Sequence, residues 1–319
     1  MTKKGNVTCI GELIADFYAE RGATVFRPSA GGAPANVAVG LAKLGVPSAF
    51  AGRVGDDSFG IFLLRELGRS GVDTSGIVLD GDHKTRLSFI TLKRWGEREF
   101  EFWERRPADE QLRPSDLDLK TLRRSSIVHV SSFLLLNEPS RSTALALARR
   151  LSRAGGVVSF DANLRLSLWG SRAEARRMML RMLSYAGILR LNAEEAFVLT
   201  KKRAPAAAAR DLQARGPSLV VITRGEAGCY LQSGPVGIFV DGFAVPAVDT
   251  TGSGDGFLAG LLATIQWAGP KLEALDEGQL YAMGRFANAV GALTALKRGV
   301  FTALPTLGEV RAFLMAYPS

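Results

Sequence analysis

Ile127-Val128-His129-Val130, Val157-Val158-Ser159-Phe160, Ile188-Leu189-Arg190-Leu191 and Leu219-Val220-Val221-Ile222-Thr223 are four short, largely apolar runs. Helical stretches at Arg141–Ala154, Arg172–Tyr185 and Ala206–Arg215 separate them, with Pro205 suited to the first turn of the last. Near-continuous apolar runs of this length suit strands covered on both faces. Strand and helix in alternation predict an α/β fold with a mostly parallel central sheet.

Toward the N-terminus the texture changes. Thr85–Leu92 and Arg98–Trp103 alternate like antiparallel strands joined by a turn around Gly96. With Asp16–Phe26 they predict a small separate sheet, a lid formed by about residues 12–30 and 84–108 on a single body spanning 1–319. Most buried strands end in polar or glycine residues: Gly11-Glu12, Asp161-Ala162-Asn163, Asn192-Ala193-Glu194-Glu195 and Arg224-Gly225. Ligands of open α/β sheets bind outside the carboxyl ends of the strands, so these clusters are expected to converge on one cleft.

Composition narrows the class. Cys9 and Cys229 are the only cysteines, each in an apolar run, too few for a disulfide framework or a zinc set. The N-terminal apolar run Val7–Ile10 is too short for a signal peptide, and nothing approaches the ~18 apolar residues of a membrane span. A cytoplasmic protein away from membranes is expected. The net charge is +9, but the basic pairs, such as Arg123-Arg124 and Arg176-Arg177, are scattered and read as solvated helix surfaces, not as a nucleic-acid footprint.

Two glycine-rich stretches carry chemistry. In Asp249-Thr250-Thr251-Gly252-Ser253-Gly254-Asp255 a glycine turn opens directly into the apolar run Gly256–Leu262. Free amides at a helix start, with the helix dipole, favour a phosphate. Asp255 at that mouth could take a proton from a hydroxyl attacking the phosphate. Taken alone, the stretch reads first as a glycine turn with Asp255 as a helix cap, and only the rest of the chain favours chemistry. The second stretch, Gly31–Gly45, sets two glycines before a helix of small residues, with Asn36 on its first turn. A Gly-x4-Gly-Lys-Ser/Thr loop, the protein-kinase motifs and a dinucleotide-binding Gly-x-Gly-x-x-Gly after Ile10 are all missing. Neither histidine, His83 or His129, has metal-ligand spacing, and His129 reads as a satisfied core residue.

Both stretches, in this order, resemble the two signatures of ribokinase-type (PfkB) carbohydrate kinases, and the chain is most similar to the bacterial fructokinases among them. Asp161–Arg165 with Leu168-Trp169, Asn192–Glu195 and Thr223–Gly228 match further elements of that family. The resemblance implies a ribokinase-like three-layer α/β/α fold with a small β lid, and ATP-dependent phosphorylation of a sugar hydroxyl, fructose first. It implies Asp255 as catalytic base and the amides of Gly252, Ser253 and Gly254 as the anion hole. Asp16, Gly32 and Asn36 would hold sugar hydroxyls. Asn192 and Glu195 would position magnesium, through water, and phosphate. Thr223, Arg224, Gly225 and Gly228 would line the nucleotide side, with Asn288 near adenine and Arg165 near the phosphates. Asp249, Thr251, Thr294, Lys297 and Gly299 match a potassium site, several through backbone atoms, with Ala303 where ribokinases often carry serine. Arg105, on the lid, would meet an anionic group of the substrate or solvent. A homodimer through the lid fits the same pattern. The alternatives are 2-keto-3-deoxygluconate kinase, ribokinase or a nucleoside kinase, and, outside catalysis, a fructokinase-like binding protein.

Overall fold

The structure is a computed structural model that describes residues 5–19, 25–92 and 98–317. Its strands are β1 Val7–Ile10, β2 Ile14–Ala19, β3 Phe26–Gly31, β4 Ser48–Gly55, β5 Asp73–Asp80, β6 Leu87–Leu92 and β7 Arg98–Phe102, then β8 Ile127–Ser131, β9 Val157–Asp161, β10 Ile188–Asn192, β11 Leu219–Thr223, β12 Cys229–Ser233 and β13 Val236–Val240. The helices are α1 Ala33–Lys43, α2 Ser58–Arg69, α3 Leu119–Arg124, α4 Ser140–Arg153, α5 Arg172–Leu183, α6 Ala193–Thr200, α7 Pro205–Gln213, α8 Ser253–Ala268, α9 Glu277–Ala295 and α10 Leu307–Ala316.

Nine strands form the main sheet in the order β13-β12-β11-β10-β9-β8-β1-β4-β5. It is parallel from β5 to β11, and β12 and β13 add antiparallel at one edge. Alternation along each strand divides the core. Leu219 and Val221 of β11 face α1, α2, α8, α9 and α10, whereas Val220 and Ile222 face α4 to α7. Each such side chain, fully buried, contributes roughly 1.5–3 kcal/mol. His129 departs from its expected reading. Burial lowers its pKa to about 4, Nδ1 lies 3.2 Å from the Ser159 hydroxyl, and Nε2 has no partner, so the ring is neutral and only half satisfied.

The second sheet has the order β3-β2-β6-β7, with β2 and β6 parallel and the outer pairs antiparallel. Its strands lie within residues 14–31 and 87–102; residues 20–24 of the expected first segment and the turn expected at Gly96 lie outside the described residues. Its strands enter and leave the body at the carboxyl ends of the main strands. β1 runs into β2, and β3 runs into α1 through Gly31-Gly32. Gly32 takes φ 108°, and a Cβ there would stand 2.4 Å from the Glu12 carbonyl, so only glycine makes this corner.

Candidate active site

Two cavities open over the carboxyl ends of the strands. One, of about 470 Å³, lies under the small sheet and is lined by Glu12, Asp16, Asn36, Phe102, Phe133 and Asp255 among others. The other, of about 480 Å³, lies over β11 and α9 and is lined by Thr223, Gly225, Gly228, Ser253 and Asn288 among others. Thr250, Gly254, Arg190 and Asn192 line both. The cavities therefore meet at the N-terminus of α8.

Asp255 is not a cap; it stands inside the first turn of α8, which Gly252 caps with φ 77°. Its Oδ2 accepts a hydrogen bond of 2.6 Å from Asn36 Nδ2. The other Asn36 side-chain atom, Oδ1, is buried without a partner. Burial raises the Asp255 pKa to about 7, with the Asn36 bond opposing and the nearby Asp161 charge reinforcing the rise. Across the same cavity Asp16 is also raised to about 7, first by burial, then against a bond from Ser88 and with the charge of Asp255. Glu12 is raised to about 8 by burial, although the Ser131 hydroxyl and the Ala33 amide both donate to it. A pocket that holds three carboxyl groups near neutrality suits hydroxyl-rich, uncharged ligands.

At the junction, Arg190 supplies the positive charge. It projects from β10 toward α8. Its Nη1 reaches Asp161 Oδ2 at 3.2 Å and its Nη2 donates to Thr223 Oγ1 at 2.9 Å. Its buried Nε has no partner. A Cβ on Gly254 would stand 2.6 Å from Nη2, so the glycine admits the guanidinium against the helix mouth. Sequence reading passed over Arg190 as part of an apolar strand; its signal was a lone cation two residues before the polar strand end.

Other expected residues are distributed as follows. Asn192 and Glu195 form a capping box on α6: Asn192 Oδ1 accepts from the Glu195 amide, and Glu195 Oε2 accepts from the Asn192 amide at 2.7 Å. Glu195 Oε1 takes the Leu164 amide at 2.6 Å, so the carboxylate is fixed beside Asp161, and burial raises its pKa. Arg165 lines the first cavity, and its charge lowers the Asp255 pKa. Asn288 is pinned by Nδ2 donation to the carbonyls of Val240 and Asp241. Thr223, Gly225 and Gly228 line the second cavity as expected.

Arg105 is exposed just beyond β7 and does not line the first cavity, so of its two expected places it takes the solvent. Two assignments need correction. Arg224 does not line the second cavity; its guanidinium stacks 5.1 Å from the Phe239 ring. The Ser253 amide is taken by the Thr250 carbonyl at 3.2 Å, so it is not a free anion donor; its buried hydroxyl, without a partner, faces the second cavity instead.

Of the residues matched to a cation site, Asp249 is buried and its Oδ1 takes the Thr251 amide at 2.8 Å. Thr294 is buried in the last turns of α9, and its hydroxyl bonds Val290. The ammonium of Lys297 turns to Glu309, leaving only its backbone for the site, and Gly299 follows at φ 79°. A carboxylate beside the terminal carbonyls of a helix is a donor set that fits a monovalent cation.

The profile described as pfkB family carbohydrate kinase matches residues 4–307. A protein named probable fructokinase-4 from Arabidopsis thaliana is 39% identical over 319 residues, covering 98% of this chain and 97% of that protein. A fructokinase from Xylella fastidiosa solved with bound ATP superposes with a TM-score of 0.92 at 33% identity, covering 98% of this chain and 99% of that one. A double mutant of the Vibrio cholerae O395 fructokinase, solved with fructose, ADP and a potassium ion, gives 0.90 at 33% identity, each chain covered to 98%.

Proposed function

The chain belongs to the pfkB family of carbohydrate kinases and is a sugar kinase, and from that premise we propose that it transfers the γ-phosphoryl group of ATP to a hydroxyl of fructose. The observation that carries the proposal is the shared wall: two cavities meet at the mouth of α8, with a carboxylate on one side and a guanidinium between them. The acceptor occupies the first cavity, its hydroxyls held by Asp16 and Asn36 and its back set against Gly32. The nucleotide occupies the second, its base toward Asn288 and its phosphates reaching Arg190.

Asp255 accepts the proton of the attacking hydroxyl as the new oxygen–phosphorus bond forms and the bond to the bridging oxygen of ADP breaks. The amides of Gly252 and Gly254, at the positive end of α8, face the charge that gathers on the phosphoryl oxygens. Arg190, with Arg165, meets charge on the phosphate chain. Among the described residues no cluster of three or more His, Cys, Asp or Glu could hold a metal. Glu195, with Asn192 and Asp161 beside it, would hold magnesium through water, and the ion would supply charge neutralisation at the phosphates when bound. Potassium beside Asp249 and the end of α9 would steady the loop that carries the anion-binding amides. The small sheet acts as a lid that excludes water.

The acceptor side of the first cavity carries Glu12, Asp16 and Asp255; of its two cations, Arg190 is shared with the second cavity and Arg165 stands against three carboxyl groups. That favours a neutral ketose over a sugar acid. The intact glycines and Asp255 favour an enzyme over a binding protein. We also place the protein in the cytoplasm: among the described residues no helix is long and apolar enough to cross a membrane, and both cysteines are free and buried. The outer face of the lid carries Phe17, Phe26, Phe89 and Trp103 in ring contact, with Trp103 65% exposed, and is proposed to pair with a second copy.

A coupled assay of ADP release over fructose, ribose, 2-keto-3-deoxygluconate and nucleosides tests the assignment. Fructose should give the highest kcat/KM. A sugar acid or nucleoside that outranks it would overturn the acceptor reading.

A further inference from the structure

Behind the acceptor cavity lies an ion cluster with no part in the chemistry above. Arg86, 4% exposed, immediately precedes β6, where the chain enters the small sheet. Asp109 and Glu110 lie in the 3-10 turn Ala108–Gln111, just after the chain leaves it. The guanidinium bonds Asp109 at 3.0 Å and Glu110 at 2.6 Å. The second oxygen of Glu110 accepts from Asn137 Nδ2 at 3.0 Å, which ties the cluster to the body.

The same guanidinium stands 5.7 Å from the centre of the Phe102 ring and 5.6 Å from that of Phe133. Phe102 is the last residue of β7, and Phe133 sits in the 3-10 turn that follows β8, so one ring belongs to each sheet. The two rings meet edge to face at 5.8 Å, and both line the acceptor cavity. Arg86 does not touch the cavity; it stands behind the wall that the rings make. A buried ion pair is weak evidence for stability, since apolar residues of equal volume serve as well. What a planar guanidinium adds is direction: it donates in a fixed fork to carboxylates and stacks on ring faces at once, which an ammonium does not.

We infer that Arg86 is a positioning residue for acceptor selection: by holding Phe102 of the lid against Phe133 of the body, it fixes the apolar wall on which the carbon skeleton of the sugar rests. The wall then faces the hydroxyl-binding side formed by Asp16 and Asn36, and the cavity takes a ketose in one orientation. The inference rests on the sugar-kinase reading and adds to it a residue that touches neither substrate.

The test is the KM-against-kcat split in Arg86→Lys, Phe102→Leu and the double variant, with fructose and ATP varied separately. Arg86→Lys should raise the fructose KM about tenfold or more, with kcat within threefold and the ATP KM unchanged. Phe102→Leu should do the same, and the double variant should be no worse than either alone, because both act through one wall. Fructose KM unchanged in Arg86→Lys would overturn the inference, as would effects that simply multiply in the double variant. If Arg86→Lys does not fold, Glu110→Gln decides: a fructose KM raised at least twofold supports the wall, and a smaller change rejects it. Wild-type enzyme that phosphorylates no neutral ketose would instead refute the acceptor assignment, and that outcome is read before any variant is made.

Discussion

Asp255→Asn should make this enzyme both inactive and more stable, and the two effects have one origin. Burial lifts the Asp255 carboxyl from an ordinary value of 3.8 to about 7. An acid whose pKa is raised on folding loses stability as pH rises from its unfolded toward its folded value. At pH 5 the folded side chain is still protonated, whereas at pH 8.5 the protein must hold it ionised in a buried site. Linkage over that interval costs the wild type about 3 kcal/mol relative to the amide, which does not titrate. Asp16, raised in part by the charge of Asp255, relaxes in the variant and adds to the difference. The Asn36 bond survives, because an amide oxygen still accepts it. Urea unfolding of the ligand-free proteins should therefore show a stability gap that widens by about 3 kcal/mol between pH 5 and pH 8.5. Turnover should fall by about 10²–10⁴, the range for loss of a general base. A gap that is the same at both pH values, or a variant that keeps a tenth of wild-type turnover, would refute the argument.

Other consequences are open to simple measurement. Because Asp255 must be ionised to accept a proton, kcat/KM for fructose should fall about tenfold per pH unit below 7, and a profile flat to pH 5 would contradict this. Gly254→Ala places a methyl against an Arg190 guanidinium that Asp161 and Thr223 hold in place. Steady-state kinetics should show kcat/KM for ATP reduced about 100-fold with the thermal midpoint little changed. Trp103→Glu should convert a dimer to a monomer in light scattering after size exclusion, and a wild-type protein monomeric at micromolar concentration would remove the lid from the list of interfaces.

The fold was legible because its strands are apolar on both faces and end in polar clusters, a pattern set by burial alone. Asp255 and Asn36 were legible for a related reason: each sits on the first turn of a helix opened by glycines, and helix mouths are marked in sequence. Arg190 was not legible, since a single cation inside Ile188–Leu191 differs little from a strand-end residue until the fold shows it bonded to Asp161 and aimed at α8. Arg105 was legible only as a choice between substrate and solvent. Aromatic and basic residues in a strand suggested a contact with substrate, but Phe102 is the residue that lines the cavity, and the chain has left the sheet by residue 105. Arg86, which stands behind the wall of the first cavity, has its charge consumed by partners more than twenty residues away.

The corner at Gly31-Gly32 and the break between β7 and β8 also divide the molecule along its gene. Residues proposed to meet the acceptor's hydroxyls and carbon skeleton come mainly from the first half of the chain, while those that line the second cavity, proposed for the nucleotide, come from β10 onward. A single recombination crossover between residues 137 and 188 would thus exchange one relative's choice of acceptor for another's and leave the phosphate-transferring half inherited whole.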